Sequence, residues 1–431
     1  MDYILFVGYL VLFAWLVTRI KFFTKSGLNH SQLVIIFLLK VMAGIFYGWI
    51  GVYYGNLAQM VDTWAYHYHS LQEYQLLKSN PQEYFTNIFY DPYNTGFSKF
   101  FDSSNSYWND LKGNFFIKIL SIFNIFSFGY YYVNVIIYSF LSMFGPIAIF
   151  RVMNDVYPGK KLQVILATFL VPSFIFWTSG IHKEGLIFVG LGLITYHIYS
   201  GLKENNFTWK RISAIFLAAL LILILRNFVI VLMIPPIIAW MLAARYKKYS
   251  LRIFAGVYLF FGLIFFTAKY IHPGFHFAES VVAKQHEFMK LTGGSEVKVN
   301  ELEPNISSFI INAPQALELA VIRPFPSDVK HILSLAAAVE IDFLLLLFIA
   351  FILFKTNGLR SKIFIYFCIF FSFSLLLSIG YTVNFLGAIV RYRSIAFPFL
   401  IIPMICQINW KKINDLLFNN IKNNSNLINS K

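Results

Sequence analysis

The chain has 431 residues, of which 58% are hydrophobic, 19% aromatic and only 13% charged, and its mean hydropathy is +0.64. A composition this apolar excludes a soluble globular enzyme and a disordered chain, and leaves a multi-pass helical membrane protein. The formal net charge of +15 then reads as basic cytoplasmic loops, not as a nucleic-acid footprint, so no nucleic acid is expected as a partner. The two cysteines, Cys368 and Cys406, lie inside apolar runs and point to neither a disulfide framework nor a thiolate metal site.

The first apolar run, about 3 to 18, follows Asp2 and precedes Arg19, Lys21 and Lys25. That charge order predicts a first transmembrane helix with its N-terminus outside, not a cleavable signal. A second span covers about 33 to 54. The polar, aromatic segment from 55 to 111 is poor in Lys and Arg, which places it outside. Within it, VDTWAYHYHS at 61 to 70 sets Asp62 where the chain leaves the bilayer, with water on one side and lipid near the other. Asp62 reads either as a tuned acid or as a solvated loop or cap residue beside an interfacial Trp.

Residues 113 to 127 are apolar but short, and Asn114, Lys118, Ser121 and Asn124 recur at a helical spacing. This predicts an amphipathic helix in the outer interface; a true span there would invert everything downstream. Further spans follow at 129 to 151, 162 to 178 and 185 to 201. A tight hairpin comes next, 212 to 225 and 228 to 244, with Arg226 and Asn227 at its outer tip. The remaining spans lie at 253 to 270, 332 to 354, 363 to 381 and 394 to 408. With about eleven crossings, the ends rich in Lys and Arg, such as Lys160 and Lys161, Lys247 and Lys248, or Lys411 and Lys412, all fall on one face. The expected architecture is therefore all-α: one polytopic bundle over 1–418, outer loops at 55–128 and 271–330, and an Asn-rich cytoplasmic tail at 419–431. No internal repeat is visible.

The outer face has few ionisable residues: Asp62, His67, His69, His182, Lys183, Glu184, Arg226, Arg323, Arg391 and Arg393. An outer arginine runs against the positive-inside bias and asks for an anionic partner. Arg391 and Arg393, two apart in VRYRS, are candidates to hold a phosphate between guanidinium forks, with Arg226 and Arg323 adding to the same site. Structural pairing with acids is the alternative for each. In FWTSGIHKEGL the break at Ser179 and Gly180 puts Glu184 in a first helical turn, where the helix dipole favours its charge. It either stabilises that helix start, or orients an acceptor hydroxyl or an arginine while Lys183 meets a phosphate. Glu340 and Asp342 lie 8 to 10 residues into the run from 332, about 12–15 Å below its outer end. They should face the bundle interior, protonated or paired with an arginine reaching inward. His67 and His69 form only a weak metal signature, and no metal or cofactor is expected.

Asp62 with Tyr66, opening a first outer loop that contains an interfacial helix, resembles the polytopic GT-C glycosyltransferases that use polyprenyl-phosphate sugars. SGIHKE at 179 to 184 and RYRSIAFPFLIIP at 391 to 403 resemble bacterial envelope-polysaccharide members of the EpsG-like and O-antigen polymerase-like kind. The pattern differs from the best-known one in having Thr63, not a second acid, after Asp62. The resemblance implies Asp62 as general base, with Glu184 as the next catalytic candidate. It implies arginines holding the lipid phosphate, and Tyr66, His67, His182, Lys183, Arg226, Arg323, Glu340, Arg391 and Arg393 as a substrate-binding set. The implied partners are a polyprenyl-phosphate sugar donor, the lipid bilayer, and a glycan, lipid or protein acceptor at the outer face of the inner (cytoplasmic) membrane. A Wzy-like polymerase of polyprenyl-pyrophosphate oligosaccharides, using a second loop such as 271 to 330, and a lipid-linked saccharide transporter are the competing readings. Inverting sugar transfer needs one base for the acceptor proton and positive charge for the departing phosphate, and these residue types supply both.

Overall fold

In lipid an apolar run can satisfy its backbone hydrogen bonds only as a helix or a closed barrel. A computed structural model describes residues 2–53, 62–94, 100, 106–272, 274–356 and 361–416, and its architecture is all-α. Among the described residues there are no strands, only isolated bridges at Glu296–Phe385 and Lys355–Ile408. The expected tail at 419–431 lies outside the described residues.

Among the described residues seven helices are long and apolar enough to cross a bilayer, and nine spans result when two bent pairs are each joined. The chain is thus a multi-pass helical membrane protein. The count of eleven is not reached on length and composition. The first helix, Asp2–Val17, has 16 residues, about 24 Å at 1.5 Å per residue against roughly 30 Å of hydrocarbon. The expected hairpin at 226 counts as one helix of 37 residues, Trp209–Arg245.

That helix nevertheless doubles back. Arg226 has extended backbone angles (φ −160°, ψ 83°) in its middle. Its first limb runs antiparallel to Lys183–Glu204: Gly201 packs under Phe207, Gly190 under Ala218 and Ile222, and Arg226 meets Glu184. The second limb returns to the starting level, because Trp240 packs on Phe364 at 5.2 Å and Phe364 on Tyr199 at 5.6 Å. A straight helix would carry Trp240 about 20 Å the other way.

Burial grades the spans from core to periphery. Tyr131–Val156 has 89% of its apolar window buried inside the protein, whereas Lys247–Tyr270 has 11% and Ile332–Phe354 has 17%. At the centre, Phe144–Val156 crosses Lys183–Glu204 through glycines. A Cβ at Gly145 would stand 2.6 Å from the Phe188 carbonyl oxygen, and one at Gly192 2.5 Å from that of Gly145. Small residues permit this backbone approach, which is how membrane helices pack without a hydrophobic drive between them. Two spans are broken instead of straight: Lys161–Phe169 meets Pro172–Ser179 at 53°, and Leu386–Arg393 meets Phe397–Gln407 at 65°.

The segment expected to lie in the interface, 113 to 127, belongs to a longer helix, Tyr107–Ser127, capped by Ser106. Its polar stripe faces the protein. Asn124 donates to Ser70 Oγ at 2.9 Å, Ser121 pairs with Tyr84 at 2.8 Å, and Lys118 meets Glu73 at 2.5 Å. The exposed side carries Ile122, Ile125 and Phe126. The helix thereby roofs Asp62–Ser79 and helps fix the position of Asp62.

Candidate functional site

Four segments far apart in sequence bring ionisable groups together at one end of the bundle. Asp62 is the first residue of Asp62–Ser79, so its carboxylate lies at a helix start, where the dipole favours negative charge. Asp62 and Tyr66 are one turn apart on one face, and the Tyr66 ring stands 5.8 Å from that of His182. Thr63 and His67 occupy the neighbouring face, turned toward Tyr131. The second segment is the break between Pro172–Ser179 and Lys183–Glu204. His182 takes the N-cap position with extended angles, which puts Glu184 in the first turn. The third is the bend at Arg226, and the fourth is Arg391 near the end of Leu386–Arg393.

Arg391 Nη1 donates to Asp62 Oδ2 at 3.0 Å and lies 3.3 Å from His182 Nε2. His182 Nε2 stands 3.6 Å from Asp62 Oδ2, while its Nδ1 pairs with Glu184 Oε2. Arg226 Nη2 donates to the other Glu184 oxygen at 2.7 Å, and Arg391 Nε is 3.8 Å from that same atom. The result is a continuous chain, Arg226–Glu184–His182–Asp62–Arg391. Tyr392 binds it from the side: Arg226 stacks 4.2 Å above its ring and Arg391 donates to its hydroxyl at 3.3 Å. Tyr138 donates to the His182 carbonyl, and a Cβ at Gly185 would collide with that tyrosine at 2.4 Å, so a glycine must follow Glu184.

Burial divides the chain of charges. The Glu184 side chain is fully buried, whereas 49% of Asp62 is exposed, so Asp62 is its open end. Partial burial pushes the Asp62 carboxyl up, but His182 and Arg391 beside it outweigh this and hold it down at about 2. Two buried donors, Arg226 Nη1 and Arg391 Nε, have no hydrogen-bond partner among the described residues. Lys183 makes no ion pair with a carboxylate among the described residues and rests over the Tyr66 ring at 5.3 Å. Close by is Lys112, whose pKa is lowered to about 8 by burial and by the charges of Lys284, Lys183 and Arg226. Three cations, Arg226, Arg391 and Lys183, thus face two carboxylates, and Lys112 and Lys284 add to the surplus. Such a site accepts an anion with oxygen acceptors.

Other sequence candidates lie elsewhere. Arg393 points away from Arg391, because two residues on a helix are about 200° apart. Its buried guanidinium donates to the carbonyls of Ala320 and Arg323. Arg323 itself pairs with Glu318 at 2.9 Å and Asp328 at 3.3 Å. Glu340 is buried and takes its hydrogen bonds from Ser173 N at 2.7 Å and Ser173 Oγ at 2.6 Å, capping the first turn of Pro172–Ser179, while the arginine whose charge acts on it is Arg393, without a direct ion pair. Asp342, expected to face the interior beside it, is exposed. His67 is buried between Trp64 and Tyr131, edge-on to both, and burial lowers its pKa to about 4. His69 pairs with Gln72 instead, so the two histidines do not converge.

Sequence reasoning passed over several contributors. Lys40, inside the second span, is buried and donates to the Thr178 carbonyl at 2.7 Å and to Ser179 Oγ at 3.2 Å, tying down the strand of chain that leads to His182. A single lysine in an apolar run was the available signal. Lys112, Lys284 and Tyr392 had none beyond residue type. A separate open cleft of about 690 Å³ lies at the start of Leu386–Arg393, lined by Glu296, Lys298, Asn300, Glu301, Lys330 and Asn384 among others. Asn384 lies two residues before the helix that carries Arg391 begins.

In comparison with known proteins, no family model, no curated protein and no solved structure matches the chain.

Proposed function

We propose that this chain is a membrane glycosyltransferase that moves a sugar from a polyprenyl-phosphate donor to an acceptor at the outer face of the cytoplasmic membrane. In this reading the chain crosses eleven times, with its N-terminus outside, so that Asp62 opens outward. The observation that carries the proposal is the convergence of Asp62, His182, Glu184, Arg226 and Arg391, with two guanidinium N–H groups that make no hydrogen bond among the described residues and Lys183 beside an exposed carboxylate. An anion-accepting half and a proton-accepting half therefore adjoin.

The chemistry follows from this division. The acceptor oxygen attacks the anomeric carbon and its proton passes to Asp62. The bond from that carbon to the phosphate oxygen breaks, and the polyprenyl phosphate departs with the electron pair. Arg391, Arg226 and Lys183 neutralise the charge that grows on it. Asp62 is a poor base while His182 and Arg391 hold it. A phosphate that draws Arg391 toward itself relieves the arginine's part of that hold and raises the basicity of Asp62, so donor binding prepares the base. His182, held by Glu184 on one nitrogen, keeps the Asp62 carboxylate oriented. The polymerase reading has one observation of its own, the polar cleft beside Asn384, which has room for an oligosaccharide acceptor.

The test is product formation from a polyprenyl-phosphate sugar by purified protein in detergent. Asp62→Asn keeps the shape of the side chain but cannot take a proton at neutral pH. Turnover should fall about a hundred- to ten-thousand-fold, while donor binding survives. Undiminished turnover would remove Asp62 as base, and transport of donor with no bond broken would make the protein a transporter.

A further inference from the structure

The helix Ile332–Phe354 presents an outward stripe made of Leu335, Val339, Asp342, Leu346, Ile349 and Leu353. The spacing alternates four and three over its whole length, and every member is exposed: Val339 by 59%, Leu346 and Leu353 each by 64%. That alternation is the seam along which one helix packs against another. Its third member is a carboxylate with no hydrogen bond or ion pair to any described residue. Asp342 lies ten residues from Ile332 and twelve from Phe354, about 15 and 18 Å from the two ends, so it sits near the middle of the span. An aspartate is too short to reach water from there by snorkelling. Lipid is a poor neighbour for it.

We propose that this face is the docking surface for a transmembrane helix of another membrane protein, which carries a Lys, Arg or His at matching depth. Charge complementarity singles out that occupant. A second copy of this chain would bring Asp342 against Asp342, and among the described residues no exposed Lys, Arg or His lies in the middle of an apolar helix to pair with it. Among the described residues the other outward helices, such as Ser250–Thr267, expose apolar side chains along their middles, which suits lipid. The single polar position in the seam fixes the register of the docked helix, as buried polar residues do in helix pairs. The inference is independent of the transferase reading.

A photo-crosslinking amino acid at Val339 or Leu346 of the full chain, in membranes of its own cell, tests this surface. Leu259, on Ser250–Thr267, serves as the lipid-facing control. Adducts should form from 339 and 346 and not from 259, and peptide sequencing should place the crosslink on an apolar span containing Lys, Arg or His. Asp342→Leu should lower the yield about tenfold and Asp342→Glu should keep it. Replacing the partner's basic residue with Leu should reproduce the loss with this chain unaltered. Adducts only with lipid, with a second copy of this chain, or with a span lacking a basic residue would overturn the proposal. So would a yield indifferent to Asp342→Leu.

Discussion

Arg391 and Arg393 share one short helix, Leu386–Arg393, and are equally basic, yet they belong to two regions with different electrostatics. Arg391 joins two carboxylates and a histidine and retains an N–H with no hydrogen bond among the described residues; Arg393 is enclosed by the carbonyls of Ala320 and Arg323. Glu340 and Asp342 repeat the contrast: one is buried and caps a helix, the other faces outward. In both pairs a separation of two residues means a rotation of about 200°. Proximity in sequence therefore argues against a shared site on a helix, whereas Asp62 and Arg391, 329 residues apart, touch.

Replacing the two arginines separately is the sharpest way to break this comparison. Arg391→Ala should lower kcat about a hundred- to a thousand-fold, the effect of deleting one preorganised charge donor, and should raise KM for the donor as well. Arg393→Met keeps volume but strips two buried carbonyls of their donor, at about 1–3 kcal/mol for each group left unsatisfied. It should lower thermal stability in detergent and leave kcat within about threefold. Equal losses of kcat in both variants would mean that the two regions are one.

His67 contrasts with His182 in the same manner, and pH exposes it. Burial depresses the folded-state pKa of His67 to about 4 from an ordinary 6.5. Below 6.5 the unfolded chain takes up a proton that the folded chain refuses. The contribution of His67 is thus complete above about pH 6.5 and is lost as pH falls toward 4. Melting temperature should drop across that window, and less so in His67→Phe. An identical profile in that variant would show that His67 takes up its proton equally in the folded and unfolded chain, with no depression by burial. Asp62 acts lower, its contribution lost between about 3.8 and 2 as it is protonated.

The smallest effect is expected at Glu340. Glu340→Gln retains an acceptor for Ser173 but removes the charge at the start of Pro172–Ser179, worth about 0.3–1 kcal/mol and up to about 2 when partly buried. A small fall in melting temperature with unchanged turnover is the outcome; a large loss of turnover would place Glu340 in the reaction.

Part of the candidate site was legible because the signals were local. Asp62 at the foot of a span, Glu184 after a helix break, and Arg226 and Arg391 at an end poor in other cations all stand out against an apolar background. Lys40 was legible on the same grounds. Arg323 and Arg393 look the same in sequence, and only their carbonyl and carboxylate partners set them apart.

Composition and hydropathy by themselves determined that the chain is helical and crosses a membrane many times, since each depends on sums over neighbouring residues and on the need of every buried peptide group for a partner. Tertiary structure alone decided which charges meet. Ion pairing depends on the rotation and crossing of helices whose apolar surfaces are nearly interchangeable, so an acid at 62 and an arginine at 391 become neighbours through packing that no local pattern encodes.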